Sequence, residues 1–196
     1  MQAPQDWLGN DVLLVDKTPS YALHPPSLAN AEAHFDEPYY IHLVRHPCGV
    51  ISSSEEMRLD LVSPYRQYVS SASELAQMLW LISHQNILRF LEGVPAGRQH
   101  RVQFESLVQQ PELVVRQICK FLNLEFNPPM LRPYENQAEK MTTGIHPEAK
   151  MIGDPKFHRH RDIDPTAAHR WKDQGREYHL AEITWAVAEI VGYQRS

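Results

Sequence analysis

The stretch Tyr39 to Met57, YYIHLVRHPCGVISSSEEM, constrains the fold more than any other part of the chain. Residues 39 to 44 are aromatic and aliphatic with almost no charge, which is the composition of a strand buried on both faces of a parallel sheet. Arg45-His46-Pro47 follows, and proline is well placed in the first turn of a helix, where its missing N–H would have no intrahelical acceptor. The pattern predicts a helix from about Cys48 to Met57. The junction puts Arg45 at the carboxyl end of a strand and Ser52, Ser53 and Ser54 on the helix that leaves it. In open α/β sheets that edge binds ligands. Arg45 and Ser53, eight residues apart, bring a planar fork of donors and a short hydroxyl toward one phosphate. The structural alternative is that Arg45 holds a neighbouring carboxylate.

A second strand-type run, DVLLVD at residues 11 to 16, leads into Lys17-Thr18-Pro19-Ser20-Tyr21. Lys17 at a strand end either pairs with Asp16 or steadies negative charge developing on a transferred group. Residues 27 to 35 read as a helix with Ser27 as its cap, which completes a βαβ unit with parallel strands and a right-handed crossover. Residues 73 to 91 form the strongest helix, with Leu75, Met78, Leu79, Ile82, Ile87 and Phe90 at helical spacing. Ser73 stands at its start, and Trp80, His84 and Asn86 along it read as packing or surface residues. His100 to Glu105 is a short alternating strand, with Glu105 in a structural role, and Pro111 opens an amphipathic helix. Three strands, near 11 to 16, 39 to 44 and 100 to 104, are expected side by side in one sheet. Residues 58 to 71 read as a mobile loop, either a lid over a substrate or a plain connector, and residues 125 to 165 as a long ordered excursion over the sheet. Two helices, up to Trp171 and from Arg176 to Val191, close the chain, the last one apolar at Leu180, Ile183, Val187 and Ile190.

With 196 residues, the chain fits one domain over residues 1 to 196. A formal charge of −5 and a pI near 6.1 argue against non-specific nucleic-acid binding, which needs a basic face, so any anion site is local. Cys48 and Cys119 lack metal-ligand spacing and read as unpaired thiols in a reducing compartment. No apolar run is long enough for a membrane span, and a cytoplasmic location is the expectation. The eleven histidines are scattered; only His158-x-His160 is close, and no metal site is expected.

Taken together, these motifs resemble the sulfotransferases that use 3′-phosphoadenylyl sulfate (PAPS), and among them the sulfotransferase domains of modular polyketide synthases. The residues carrying the resemblance are Lys17-Thr18-Pro19-Ser20-Tyr21 after a strand, Arg45 with Ser53, the helix ELAQMLWLISHQNILRFLEGVP, and the strand ending Phe104-Glu105-Ser106-Leu107 before a proline-started helix. Two later segments, Met141 to His146 and Ile152 to Phe157, are similar to the C-terminal signature of that group. The resemblance implies a three-layer α/β fold of P-loop NTPase type with a central parallel sheet. It implies PAPS as sulfonate donor, no metal, and a hydroxyl acceptor, with a β-hydroxyacyl chain on an acyl carrier protein as one acceptor class. It assigns Arg45 and Ser53 to the 3′-phosphate, Lys156 to the nucleotide, Lys17 to the sulfonate, and His146 to the proton of the acceptor hydroxyl, a role suited to the histidine pKa.

The family pattern opens with a strand and a phosphate-binding loop, and no Gly-rich strand-to-helix loop precedes Asp11. The sequence therefore corresponds to the C-terminal two-thirds of the pattern, with part of the donor site missing. A truncated reading frame, a loop supplied by another chain, and a non-catalytic binding or interaction module all fit that departure. A kinase-like phosphotransferase fits less well, because the Walker lysine loop and a magnesium-binding carboxylate pair are also missing.

Overall fold

The computed structural model describes residues 13–61, 63–135 and 160–195. The fold is α/β with a parallel sheet, of which two strands are found among the described residues: β1 (Tyr40–Val44) and β2 (Gln99–Gln103), hydrogen-bonded side by side. Around them run α1 (Pro25–His34), α2 (Pro47–Glu56), α3 (Ala72–Glu92), α4 (Phe104–Gln109), α5 (Pro111–Phe121) and α6 (Glu182–Ile190). The chain divides into two compact units, residues 1–101 with 171–196, and residues 102–170.

In the first unit, the buried residues of β1 lie on one face. Val44 is fully buried and His42 nearly so, whereas Tyr39, Ile41 and Leu43 are about half exposed. The expectation of burial on both faces is corrected here, because alternate residues of a strand point to opposite faces and α3 and α6 pack against one of them. Val44 forms a core with Trp80 of α3 and with Val187, Ala188, Val191 and Tyr193 of the C-terminal segment. The run DVLLVD is likewise no strand over its described residues: Leu13, Leu14 and Val15 are exposed, and the segment leads into a 3₁₀ turn at Pro19–Leu23. An apolar run becomes a strand only where a neighbour completes its hydrogen-bond ladder, and β1 has β2 alone as its described partner.

Helix boundaries follow local chemistry. α1 starts at Pro25 with His24 as its cap, and Ser27, expected to be the cap, instead meets the His24 ring at 3.0 Å. α3 is capped by Ser71 rather than Ser73: its hydroxyl accepts from the Glu74 N–H at 3.1 Å, and the Glu74 carboxylate reaches back to the Ser70 N–H at 2.7 Å, a reciprocal arrangement close to a capping box. Its buried face carries Leu75, Ala76, Trp80, His84 and Leu91. α6 begins at Glu182, six residues later than expected, and buries Thr184, Val187 and Ala188, continued by Val191, while Ile183 and Ile190 face outward. Its start is held from α3, since Gln77 Oε1 accepts both from the Ala181 N–H at 2.6 Å and from the Thr184 hydroxyl at 2.9 Å. Glu32 of α1 ties its own layer to the sheet by accepting from Tyr40 at 2.7 Å and from Arg98 at 2.5 Å.

Residues 58 to 71 contain two 3₁₀ turns, Leu59–Leu61 and Arg66–Tyr68, drawn around the buried carboxylate of Asp60 with Arg58 at 3.6 Å and Arg66 at 3.8 Å. In the second unit α4 runs straight on from β2, and α5 buries Val114 and Cys119. The 3₁₀ turn Pro165–Ala168, capped by Asp164, stands where a longer helix was expected, and it packs on α4. Gln109 of α4 meets His169 at 3.0 Å. Among the described residues no helix is long and apolar enough to cross a membrane.

Candidate functional site

The β1–α2 junction forms where expected. His46 caps α2, its Nδ1 accepting from the Cys48 N–H at 3.2 Å, and Pro47 occupies the first turn. The backbone of Arg45 is fixed from α3, where Trp80 Nε1 donates to the Arg45 carbonyl at 3.0 Å. The first turn of α2 is buried at Pro47, Cys48 and Gly49. Burial raises the Cys48 thiol to about 11, so it stays protonated near neutrality, and both cysteines are free.

Gly49 is the point on which the site closes. A Cβ at this position would lie 3.1 Å from Arg45 Nε and 3.2 Å from Trp171 Cδ1, so both side chains lie against the bare helix backbone. Ser53 is four residues further along α2 and therefore one turn away on the same face. It is half-buried, and its hydroxyl makes no hydrogen bond among the described residues. The arginine side chain at Gly49 thus lies against the helix that carries Ser53 one turn further on.

The neighbouring serine is committed elsewhere. Ser52 Oγ donates to Gln174 Oε1 at 3.1 Å, and the same oxygen accepts from the Tyr178 hydroxyl at 3.0 Å. One turn on, Glu55 takes Arg176 in a two-pronged ion pair at 2.6 and 3.1 Å. These bonds lay residues 171 to 178 along α2. Trp171 stacks on His46, with ring centroids 4.5 Å apart and planes 17° apart, and Lys172 Nζ lies 5.3 Å from the same indole. Sequence reading missed this segment and put its ends on helices. The available signal was Gly175, which stands in a polar run and takes φ of +62°, as a turn there requires.

Lys17 is exposed in the extended segment before Pro19 and forms no hydrogen bond or ion pair among the described residues. Asp16, its alternative partner, accepts from Thr18 at 2.7 Å instead. His146 and Lys156 lie outside the described residues. Among the described residues no group of three His, Cys, Asp or Glu side chains is placed to hold a metal.

The Trp171 Nε1–H is buried with no hydrogen-bond partner among the described residues, 3.6 Å from where a Cβ of Gly49 would lie. The Arg45 guanidinium and the Ser53 hydroxyl are donor groups that fit an anion with several acceptor oxygens, as a phosphate has.

The model of the sulfotransferase family matches residues 2–128. The structure is similar to a sulfotransferase domain from the curacin biosynthetic pathway, with a TM-score of 0.83 and 37% identity over 97% of this chain and 65% of that one. It is also similar to a sulfotransferase domain from the Synechococcus PCC 7002 olefin synthase, with a TM-score of 0.76 and 32% identity over 95% of this chain and 61% of that one. This chain thus spans a little under two thirds of the length of each. No match is found among curated proteins. On the family match and on both structural likenesses, the chain belongs to the sulfotransferase family.

Proposed function

We propose that the protein transfers a sulfonate from PAPS to a hydroxyl, and that the acceptor class is a β-hydroxyacyl chain on a carrier protein. The observation that carries the nucleotide half of this reading is the Arg45 side chain laid across Gly49, one helical turn from the uncommitted hydroxyl of Ser53. In this reading Arg45 and Ser53 hold the 3′-phosphate through charge-assisted and neutral hydrogen bonds. Lys156 adds a cation to the nucleotide, Lys17 faces the sulfonate, and an imidazole nitrogen of His146 takes the proton of the acceptor hydroxyl. When bound, PAPS supplies a sulfonate already attached to a good leaving group, so positioning and charge do most of the protein's work. The acceptor class is supported by the two neighbours, which are domains of a curacin pathway and an olefin synthase.

The test compares adenosine 3′,5′-bisphosphate with 5′-AMP. The bisphosphate is expected to raise the thermal midpoint well above the shift given by 5′-AMP, and Arg45→Ala to abolish the difference. Equal shifts in the unmodified protein would reject the site. For the chemistry, labelled sulfonate is followed onto a hydroxyacyl carrier protein, and His146→Ala is expected to slow transfer about a hundredfold with nucleotide binding intact. Binding without any transfer would identify a nucleotide-binding module instead.

A further inference from the structure

We infer that Trp171 is a positioning residue for Arg45, holding its guanidinium against the Gly49 saddle so that it faces the Ser53 side of α2. The inference rests on the reading of Arg45 as a phosphate ligand and assigns Trp171 a function which neither that reading nor the family match requires.

Three observations lead to it. The glycine is open to two side chains at once: the absent Cβ would meet Arg45 Nε at 3.1 Å and Trp171 Cδ1 at 3.2 Å, so arginine and indole lie on one residue's footprint. The indole itself has little freedom. It is 9% exposed, its face lies on the His46 ring, and its edge meets Tyr178 with centroids 6.1 Å apart. His46 in turn is held as the cap of α2 and packs edge-on against Tyr193 at 5.1 Å and Trp185 at 5.9 Å. A rigid stack therefore bounds one side of a long side chain whose backbone carbonyl is already pinned by Trp80.

The physical effect is on the entropy of binding. A free arginine has about 2 kcal/mol of rotamer entropy to lose when it engages a phosphate. Walls that remove alternative rotamers before the ligand arrives transfer that loss to folding, and the benefit appears only in ligands that engage the guanidinium. Removing Trp171 is then expected to weaken binding of a 3′-phosphorylated nucleotide while leaving 5′-AMP unaffected. Gly49→Ala acts on the same contact from beneath, because its methyl displaces arginine or indole by a few tenths of an ångström.

The experiment has two arms. In the first, the dissociation constants of adenosine 3′,5′-bisphosphate and 5′-AMP are measured by calorimetry for the unmodified chain and for Trp171→Phe, Trp171→Ala and Gly49→Ala. Trp171→Phe, which keeps a ring on His46, is expected to stay within about threefold of the original preference for the bisphosphate. Trp171→Ala and Gly49→Ala are each expected to lose about tenfold of it with 5′-AMP affinity unchanged, the order of one pre-organised side chain. A phenylalanine variant as poor as the alanine variant would overturn positioning, since it would make the indole N–H a direct contact. Loss of preference confined to Arg45→Ala would overturn it too. No preference in the unmodified chain would instead reject the nucleotide reading. The second arm needs no nucleotide: ¹⁵N relaxation of the Arg45 Nε is expected to report a rigid side chain in the unmodified protein and in Trp171→Phe, and a mobile one in Trp171→Ala. Equal mobility in all three would overturn the inference whatever the nucleotide results.

Discussion

Trp80 Nε1 donates to the carbonyl of Arg45 at 3.0 Å, so the core of the first unit and the candidate phosphate ligand meet at one hydrogen bond. Trp80 is 4% exposed and belongs to the core around Val44. Trp80→Phe keeps most of the apolar contact and removes the indole donor to that carbonyl. A loss of about 1–3 kcal/mol is expected in urea unfolding. Nucleotide binding should weaken in parallel, because the backbone of Arg45 loses its anchor. Unchanged stability would mean that water replaces the indole.

His42 and His84 make the protein's stability depend on pH in a window where few other groups titrate. The rings are buried and share a hydrogen bond of 2.9 Å, His42 Nε2 to His84 Nδ1. Burial, followed by the neighbouring His84 and Arg101 charges, lowers His42 to about 3; burial, then Arg101, lowers His84 to about 4. The folded protein therefore refuses protons that the unfolded chain accepts below about pH 6.5. Stability is fully present above that value and falls as the pH drops toward 4, by about 1.4 kcal/mol per pH unit for each histidine held neutral. Denaturation midpoints between pH 7 and 5 read this slope. The double variant His42→Val with His84→Leu should flatten it, and equal slopes in the two proteins would exclude the pair as its source.

Gln77 is expected to control the docking of α6. Its Oε1 serves the Ala181 N–H and the Thr184 hydroxyl, and Thr184 is fully buried. Gln77→Ala leaves both donors to find water at a packed helix start, a cost of about 1–3 kcal/mol. Amide exchange at residues 184 to 188 should accelerate more than in α2. Equal acceleration in both helices would mean that Gln77 acts on global stability alone.

Asp60 gathers Arg58 and Arg66 around one buried carboxylate, and Arg58 takes φ of +52°, which a non-glycine residue holds only where its surroundings require it. Each pair is partly exposed and contributes little to global stability. Their effect is local. Asp60→Ala is expected to leave the denaturation midpoint within about 1 kcal/mol of the original and to speed tryptic cleavage after Arg58 and Arg66 several-fold. Unchanged cleavage would show that the 3₁₀ turns persist without the carboxylate.

How much of this was legible depended on whether the cause was local. The strand-to-helix junction, α3 and α5 were readable from proline positions and helical spacing within a few residues, whereas the cap of α3 was read two residues late, at Ser73. The placing of Arg45 at that junction and of Ser53 on the helix leaving it is local in the same way. Exposure was not: the outward turn of Ile41, Leu43, Ile183 and Ile190 depends on which distant elements cover each face, and an apolar residue carries no label for that. The most informative glycine gave no sign in sequence, since Gly49 matters through Trp171, far along the chain. Likewise the bond from Ser52 to Gln174 spans 122 residues, and no local pattern announces it.

The alternation along β1 has a consequence for strand register. Sliding a strand by one residue exchanges its two faces, and an apolar-in, polar-out pattern normally forbids that. Here the outward face carries Tyr39, Ile41 and Leu43 and the inward face His42 and Val44, so hydrophobic burial hardly discriminates between the two settings. The discriminating contact is the bond between His42 and His84, which only one register can make and which would leave His84 buried without its partner in the other. A neutral histidine pair thus acts as an index mark for the sheet. Replacing both rings by aliphatic side chains should preserve stability near neutral pH yet double the amide resonances of residues 40 to 44, whereas a single set of resonances would place the mark elsewhere. In this protein a polar pair inside the core, more than the apolar side chains around it, sets which residue the strand presents next, and so where Arg45 emerges.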